Sequence, residues 1–183
     1  MILLARHGET DHNVPPQRVQ GWIDISLNER GREQATALAA TVRESGIAAL
    51  YSSNLARARE TAEIVGAELR LPATVDERLA ESRRGSWEGR RIEDIEREEP
   101  ELWGAWMRGG ESFKFPGGES LREHADRVAE ALAEISGAPM PALVICHGGT
   151  IRCAFALQHP RGLDAFHELD VPNARPMELS PSR

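Results

Sequence analysis

Apolar positions along this chain alternate between short unbroken runs and longer stretches of helical period. Ile2-Leu3-Leu4-Ala5 is one such run and stops abruptly at Arg6-His7-Gly8; Ala142-Leu143-Val144-Ile145-Cys146 is another and stops at His147-Gly148-Gly149. Runs this short, partly β-branched and without polar alternation, predict strands buried on both faces, as in a parallel sheet. Asn28 predicts the N-cap of a helix reaching about Ser45, with Ala35, Leu38, Ala39 and Val42 on one face and Gly46 as its stop. Residues 47–52 read as a strand, 55–69 as a helix and 72–75 as a further strand. This alternation predicts a three-layer α/β/α domain around a central, mostly parallel mixed sheet.

Over residues 78–118 the pattern degrades into charged turns, two short helical pieces (92–99 and 101–108) and a glycine-rich loop. A stretch of that length is more than a connector, so about 86–119 is expected to form a lid or side wall over the sheet edge. Order returns at Ser120-Leu121-Arg122-Glu123, a capping-box pattern. It opens the longest helix, whose apolar stripe is Leu121, Ala125, Val128, Leu132 and Ile135 and whose stop is Gly137. A helix is expected near Thr150 after the strand at 142–146. The tail from Val171 is expected to add a last, antiparallel strand before residues 180–183 fray. With no repeat or linker, residues 1–183 read as one domain.

Composition narrows the function. The 183 residues are 40% hydrophobic, enough for one substantial core without help from metals or disulfides. Cys146 and Cys153 follow no ligand spacing and read as free, partly buried thiols, which fits a reducing cytoplasm. The apolar stretch before Arg6 is far shorter than a signal-peptide core or a membrane span, so a cytoplasmic protein without membrane association is expected. A net charge of −7 argues against nucleic acid as a general partner. Oligomeric state is left between monomer and a homodimer through an exposed sheet edge.

The strand-end histidines carry the candidate chemistry. Parallel neighbours ending in Arg6-His7-Gly8 and His147-Gly148 bring both imidazoles to one sheet edge, beside a fixed positive charge. That is suited to attack on a bound anion, and a phosphate ester is the natural one. A transferring phosphoryl group spreads charge over three oxygens, so a catalyst without metal surrounds it with fixed donors. Arg6 and Arg57 are candidates, because a planar guanidinium holds two oxygens at once. His147 and the Gly148 amide at a helix start would add donors. Glu81 follows the third strand and reaches the same edge; beside a bound dianion its pKa is expected to rise, suiting it as general acid and then base.

Taken together, Arg6-His7-Gly8-Glu9-Thr10 with Asn13, Gln20-Gly21-Trp22, residues 53–61, Glu81 with Gly85, and His147-Gly148 resemble the histidine phosphatase superfamily, in its cofactor-dependent phosphoglycerate mutase branch. The resemblance spans Met1 to about Leu157. It implies that His7 becomes a phosphohistidine, that Arg6, Arg57 and His147 bind the phosphoryl oxygens, and that Glu81 is the proton donor. Asn13 and the Gln20-Gly21 backbone would complete the pocket, and a mixed sheet between helices is implied. Mutases of the family carry a large insertion corresponding to residues 108–120 and an aromatic residue where this chain has Arg84. A smaller cover admits water, so hydrolysis of a small phosphorylated metabolite, with no cofactor and no metal, is the expectation.

Several alternatives remain open on the sequence. A phosphoglycerate mutase would use the same residues but hold its phosphoenzyme dry. A metal site from His7, Glu9, Asp11 and His12 is a poorer fit, because neighbours on one turn do not all face one ion. A phospho-ligand binding protein without turnover would need neither nucleophile nor acid. His12, His124, His159 and His167 lack motif support and are expected in surface or capping roles. Trp22, Trp87, Trp103 and Trp106 either pack or line a cleft. Arg83, Arg84, Arg90 and Arg91 form a basic cluster that is either solvated or selects a second anionic group.

Overall fold

In the computed structural model, which describes residues 1–179, the first apolar run forms β1 (Ile2–Arg6). Its side chains alternate, with Leu3 and Ala5 on one face and Leu4 on the other, so both faces need cover. Helix α1 (Glu29–Val42) starts at Asn28, whose side chain accepts from the Gly31 amide at 2.8 Å. Strand β2 (Ala49–Ser52), helix α2 (Ala56–Leu69) and strand β3 (Ala73–Val75) follow. Helices α3 (Ile92–Glu98) and α4 (Pro100–Arg108) lie within the irregular stretch. Helix α5 (Leu121–Ser136) is opened by the Ser120/Glu123 capping box; strand β4 (Ala142–Cys146), helix α6 (Gly148–Ala156) and strand β5 (Pro176–Leu179) complete the chain.

The sheet order is β3-β2-β4-β1-β5. Strand β4, buried along its whole length, sits between β2 and β1 and is parallel to both, with Arg6 opposite Cys146. Among the described strands only β5, on the edge beyond β1, runs antiparallel. Helices α1 and α2 bury Leu38, Val42, Ala58, Ala62 and Val65 against Leu3, Ala5, Leu143 and Ile145. On the opposite face Val128, Leu132, Ile135, Ile151 and Ala154 of α5 and α6 meet Leu4, Val144 and Cys146. The fold is therefore the expected mixed sheet between helical layers.

The irregular stretch has a core of its own. Trp87, Ile95, Trp106, Phe113 and Phe115 pack with Leu121, Ala125, Cys153 and Phe166, and the Trp106 and Phe115 ring centroids are 4.8 Å apart. Among the described residues no helix is long and apolar enough to cross a membrane. The expected fraying of residues 180–183 lies outside the described residues.

Candidate active site

Because β1 and β4 are parallel and in register, the residues just past their carboxyl ends emerge together. The His7 amide donates to the Cys146 carbonyl at 3.0 Å, extending the ladder by one residue, and the His7 and His147 ring centroids lie 5.2 Å apart. The expectation that these histidines share one sheet edge agrees with this arrangement. They adjoin a cleft of about 330 Å³ lined by Arg6, His7, Asn13, Gln20, Gly21, Arg57, Glu81 and Gly148. His147 lies just beneath, fully buried.

Two hydrogen bonds fix the state of the His7 ring. Its Nδ1 is 2.7 Å from the Gly8 carbonyl, which only accepts, so Nδ1 carries the hydrogen. Its Nε2 is 3.2 Å from Arg57 Nε, which only donates, so Nε2 presents a lone pair. Burial, then the charges of Arg57, His147 and Arg6, hold the His7 pKa well below the ordinary imidazole value. The ring is therefore a neutral base at physiological pH. Close passage of the chain next to it depends on Gly8, where a Cβ would stand 2.3 Å from the Gly31 carbonyl oxygen.

Arg57 sits in the first turn of α2 with every nitrogen engaged: Nε on His7, Nη1 on the Ile23 carbonyl at 3.0 Å and Nη2 on the Gly21 carbonyl at 2.8 Å. Burial lowers its pKa to about 10, leaving it charged at neutral pH. Arg6 donates from Nη1 to the Val171 carbonyl at 3.0 Å, while its buried Nε has no protein partner. The His147 Nε2 is 2.8 Å from Ser53 Oγ, and its buried Nδ1 is likewise unpartnered. Buried polar atoms without partners are uncommon, and these two belong to the side chains next to the His7 ring, Arg6 in sequence and His147 in space.

Glu81 is brought to the same place by the loop after β3. Its Oε2 accepts from the Gly149 amide at 3.0 Å and its Oε1 from the Ser82 amide at 2.8 Å. A Cβ on residue 149 would stand 2.1 Å from Glu81 Oε1, so glycine is what allows this approach. Burial alone would raise the Glu81 pKa. Arg84, His124 and the two backbone amides outweigh it and hold the carboxyl well below its usual range. The expected rise is thus not a property of the protein groups themselves; a dianion in the cleft is the group that would oppose them.

The other sequence candidates divide. Asn13 lines the cleft with its Oδ1 turned to the Thr10 amide at 3.1 Å, and Gln20 lines it with Oε1 buried and unpartnered. Of the basic cluster only Arg84 lines the cleft; Arg83 stacks on the Trp22 ring, and Arg90 pairs with Glu98 and Glu99. The tryptophans are not among the lining residues: Trp87 and Trp106 are core, and Trp22 Nε1 donates to the Glu81 carbonyl at 2.6 Å. His124 corrects its expectation. It is fully buried on α5, with Nε2 3.3 Å from Thr150 Oγ1, and burial pushes its pKa down to about 3.

Sequence reasoning missed Arg18, Arg152 and Asn173, which line the cleft, and Arg127, which supports it. Asn173 Nδ2 donates to the His7 carbonyl at 2.8 Å. Arg127 reaches from α5 to the carbonyls of Arg78, Ala80 and Glu81 and pairs with Glu119 at 2.6 Å. Among the described residues no three of His, Cys, Asp or Glu converge as a metal-holding group; His7, Glu9, Asp11 and His12 do not form one.

A neutral imidazole with its lone pair toward a guanidinium, in a cleft also lined by a carboxyl and further arginines, is chemically suited to hold an oxyanion and attack at it. The chain belongs to the histidine phosphatase superfamily (branch 1), whose family model matches residues 2–183. A "Probable phosphoglycerate mutase GpmB" of Salmonella paratyphi B is 36% identical over 154 residues, 83% of this chain and 71% of that protein. A mycobacterial glucosyl-3-phosphoglycerate phosphatase, in a structure with VO3, is 32% identical with a TM-score of 0.84, covering 96% of this chain and 88% of that one. The α-ribazole phosphatase of Shigella flexneri is 27% identical with a TM-score of 0.81, over 94% and 86% of the two chains.

Proposed function

We propose that this protein is a phosphomonoesterase that hydrolyses a small phosphorylated metabolite through a phosphohistidine on His7. The observation that carries the reading is the His7 ring itself, with Nδ1 tied to the Gly8 carbonyl and Nε2 unprotonated within the cationic cleft. In the first step Nε2 attacks phosphorus and the bond to the leaving oxygen breaks, with Glu81 giving that oxygen its proton. The Nδ1–H bond to Gly8 is kept, so the positive charge of the phosphorylated ring is shared with a carbonyl dipole. In the second step water attacks phosphorus, Glu81 takes its proton, and the N–P bond breaks to return neutral His7 and inorganic phosphate. Arg6, Arg57 and His147 hold the phosphoryl oxygens throughout, with the Gly148 amide as a further donor.

Structural relatives bearing phosphatase names support hydrolysis. The curated relatives named for mutase activity favour a second reading, in which the same phosphohistidine returns its group to a bound intermediate. A panel of phosphomonoesters assayed in chelator, with 3-phosphoglycerate present with and without its bisphosphate primer, separates the two. Release of phosphate without primer, lost in His7→Ala and His7→Asn, is the expected result. Strong primer stimulation with little phosphate release would establish the mutase instead, and activity surviving in both His7 variants would remove the nucleophile assignment.

A further inference from the structure

Strands β2, β4 and β1 are parallel neighbours, so the first residue past the carboxyl end of each reaches the same edge of the sheet. Past β1 that residue is His7, and past β4 it is His147. Past β2 it is Ser53, whose amide continues the ladder by donating to the Ile145 carbonyl at 3.0 Å. Ser53 and His147 are both fully buried, with Ser53 Oγ 2.8 Å from His147 Nε2. Among the described residues this hydroxyl is the one hydrogen-bond partner of the ring, and Nδ1 has none.

Burial, followed by the charge of Arg57, holds the His147 pKa well below the ordinary imidazole value, so the ring is neutral at physiological pH. A neutral imidazole has one N–H and one lone pair, and the placement of that hydrogen decides whether an oxyanion beside it is held or repelled. The hydrogens around Ser53 decide which. Its Oγ already accepts from the Leu55 amide at 3.2 Å, and among the described residues its own hydrogen has no acceptor besides His147 Nε2. If the hydroxyl donates to Nε2, the ring hydrogen is on Nδ1 and that N–H is the single buried group left unpaired. If Nε2 donates to the hydroxyl instead, two are left unpaired, the hydroxyl hydrogen and the Nδ1 lone pair. Unpaired buried groups are costly, so the first arrangement is favoured. Arg6 Nε, the other unpartnered atom here, is a donor by its chemistry, and a Cβ on residue 148 would stand 3.7 Å from it.

We infer that Ser53 is a positioning residue that fixes the tautomer of His147, donating to Nε2 so that Nδ1 presents a hydrogen, and not a lone pair, to a bound oxyanion. This rests on the proposed role of His147 in holding the phosphoryl oxygens. The hydroxyl acts only through the ring, by the nitrogen to which it assigns the hydrogen. Both strand-end histidines then carry their hydrogen on Nδ1 yet offer opposite chemistry. His7 has its N–H engaged by the Gly8 carbonyl and keeps a lone pair for attack, whereas His147 has its lone pair engaged by Ser53 and keeps an N–H for holding.

The test observes the ring itself. Imidazole nitrogen NMR on the intact protein, with isotope-labelled histidine and His147 assigned through its backbone, gives the fraction of rings with the hydrogen on Nδ1; calorimetry with inorganic phosphate gives the affinity. The unaltered protein is expected to show His147 almost wholly in the Nδ1–H form. An Nε2–H ring there overturns the inference, a result that needs no variant to fold. In Ser53→Ala, checked for folding by its thermal transition, nothing donates to Nε2 and the Nδ1–H fraction should fall. Phosphate affinity should fall by the inverse of that fraction, about fivefold if roughly one ring in five keeps its Nδ1 hydrogen. An unchanged tautomer in Ser53→Ala overturns the assignment to Ser53, and weaker phosphate binding without a change of tautomer marks a merely structural effect. A shifted tautomer with unaltered affinity overturns the part given to Nδ1–H in holding the anion. Turnover separates this inference from the reading beneath it: His7-dependent hydrolysis of monoesters beside an Nε2–H ring removes the role of Ser53 alone, while an Nδ1–H ring in a protein that hydrolyses no monoester removes the phosphomonoesterase reading alone.

Discussion

Gly149→Ala is a one-methyl probe of the proposed acid–base group. The added Cβ would lie 2.1 Å from Glu81 Oε1 and 3.0 Å from its carboxyl carbon, so the carboxylate has to retreat by roughly 1 Å to reach ordinary contact, a displacement worth on the order of 10²-fold in rate. Stability should move little by comparison. Alanine in helix α6 gains about 1 kcal/mol over glycine, while stretching the amide-to-carboxylate hydrogen bond loses about 1.5–3 kcal/mol, a net cost of a few degrees in Tm. The assay is rapid-mixing kinetics on 4-nitrophenyl phosphate. That leaving group needs little protonation, so phosphorylation of His7 should stay fast while attack by water, which needs Glu81 as base, slows. A burst of nitrophenolate equal to the enzyme concentration should appear, followed by a steady rate about 10²-fold below that of the unaltered protein. A folded variant with steady rates within about threefold for both aryl and alkyl esters would refute the acid–base role of Glu81.

Glu81→Gln should depress turnover of alkyl phosphates far more than of aryl phosphates in the first step, measured as single-turnover transfer; equal losses would count against proton donation. Stability should fall as pH drops below about 6.5, because His7, His147 and His124 have lowered pKa values in the folded chain and the unfolded chain binds more protons. Each contributes a slope of at most about 1.4 kcal/mol per pH unit, reaching for His124 down to its folded value of about 3; a flat denaturation midpoint between pH 7 and 5 would contradict their burial as neutral rings. Arg127→Met leaves the Ala80 and Glu81 carbonyls without their shared donor and should cost about 2–4 kcal/mol in urea unfolding; a loss under about 0.5 kcal/mol would show that the loop before Glu81 is held otherwise.

Local chemistry made the skeleton legible in the sequence. An apolar run ending in His-Gly needs no distant partner to be read as a buried strand end, and two such runs give both imidazoles at once. Asn28 and Ser120 announce helix starts through bonds made within three residues. Glu81 is legible from its place after a strand. Asn173 and Arg152 are not, since each meets the site from a segment whose position only the finished sheet determines: Asn173 contacts His7 from the approach to β5, which returns antiparallel beside β1. His124 had a usable signal. It falls on the same helical stripe as Leu121, Ala125 and Val128, and period alone placed it inward even though histidine chemistry suggested solvent. The tryptophans of the 86–119 stretch, open in the sequence between packing and lining a cleft, take the first role: Trp87 and Trp106 are buried in a core of their own and Trp103 packs against it.

The hydrogen bond from Arg57 to His7 Nε2 places the proposed nucleophile under a latch. The same nitrogen that would meet phosphorus is occupied by a donor, and that donor prefers an anionic oxygen to a neutral ring. An oxyanion beside the ring competes for the Arg57 Nε–H, while Nη1 and Nη2 are tied to the Ile23 and Gly21 carbonyls, and so frees the imidazole lone pair; an uncharged electrophile offers nothing in exchange and finds it covered. Chemical restraint toward stray alkylating or acylating agents would then come from the very side chain proposed to hold the phosphoryl oxygens.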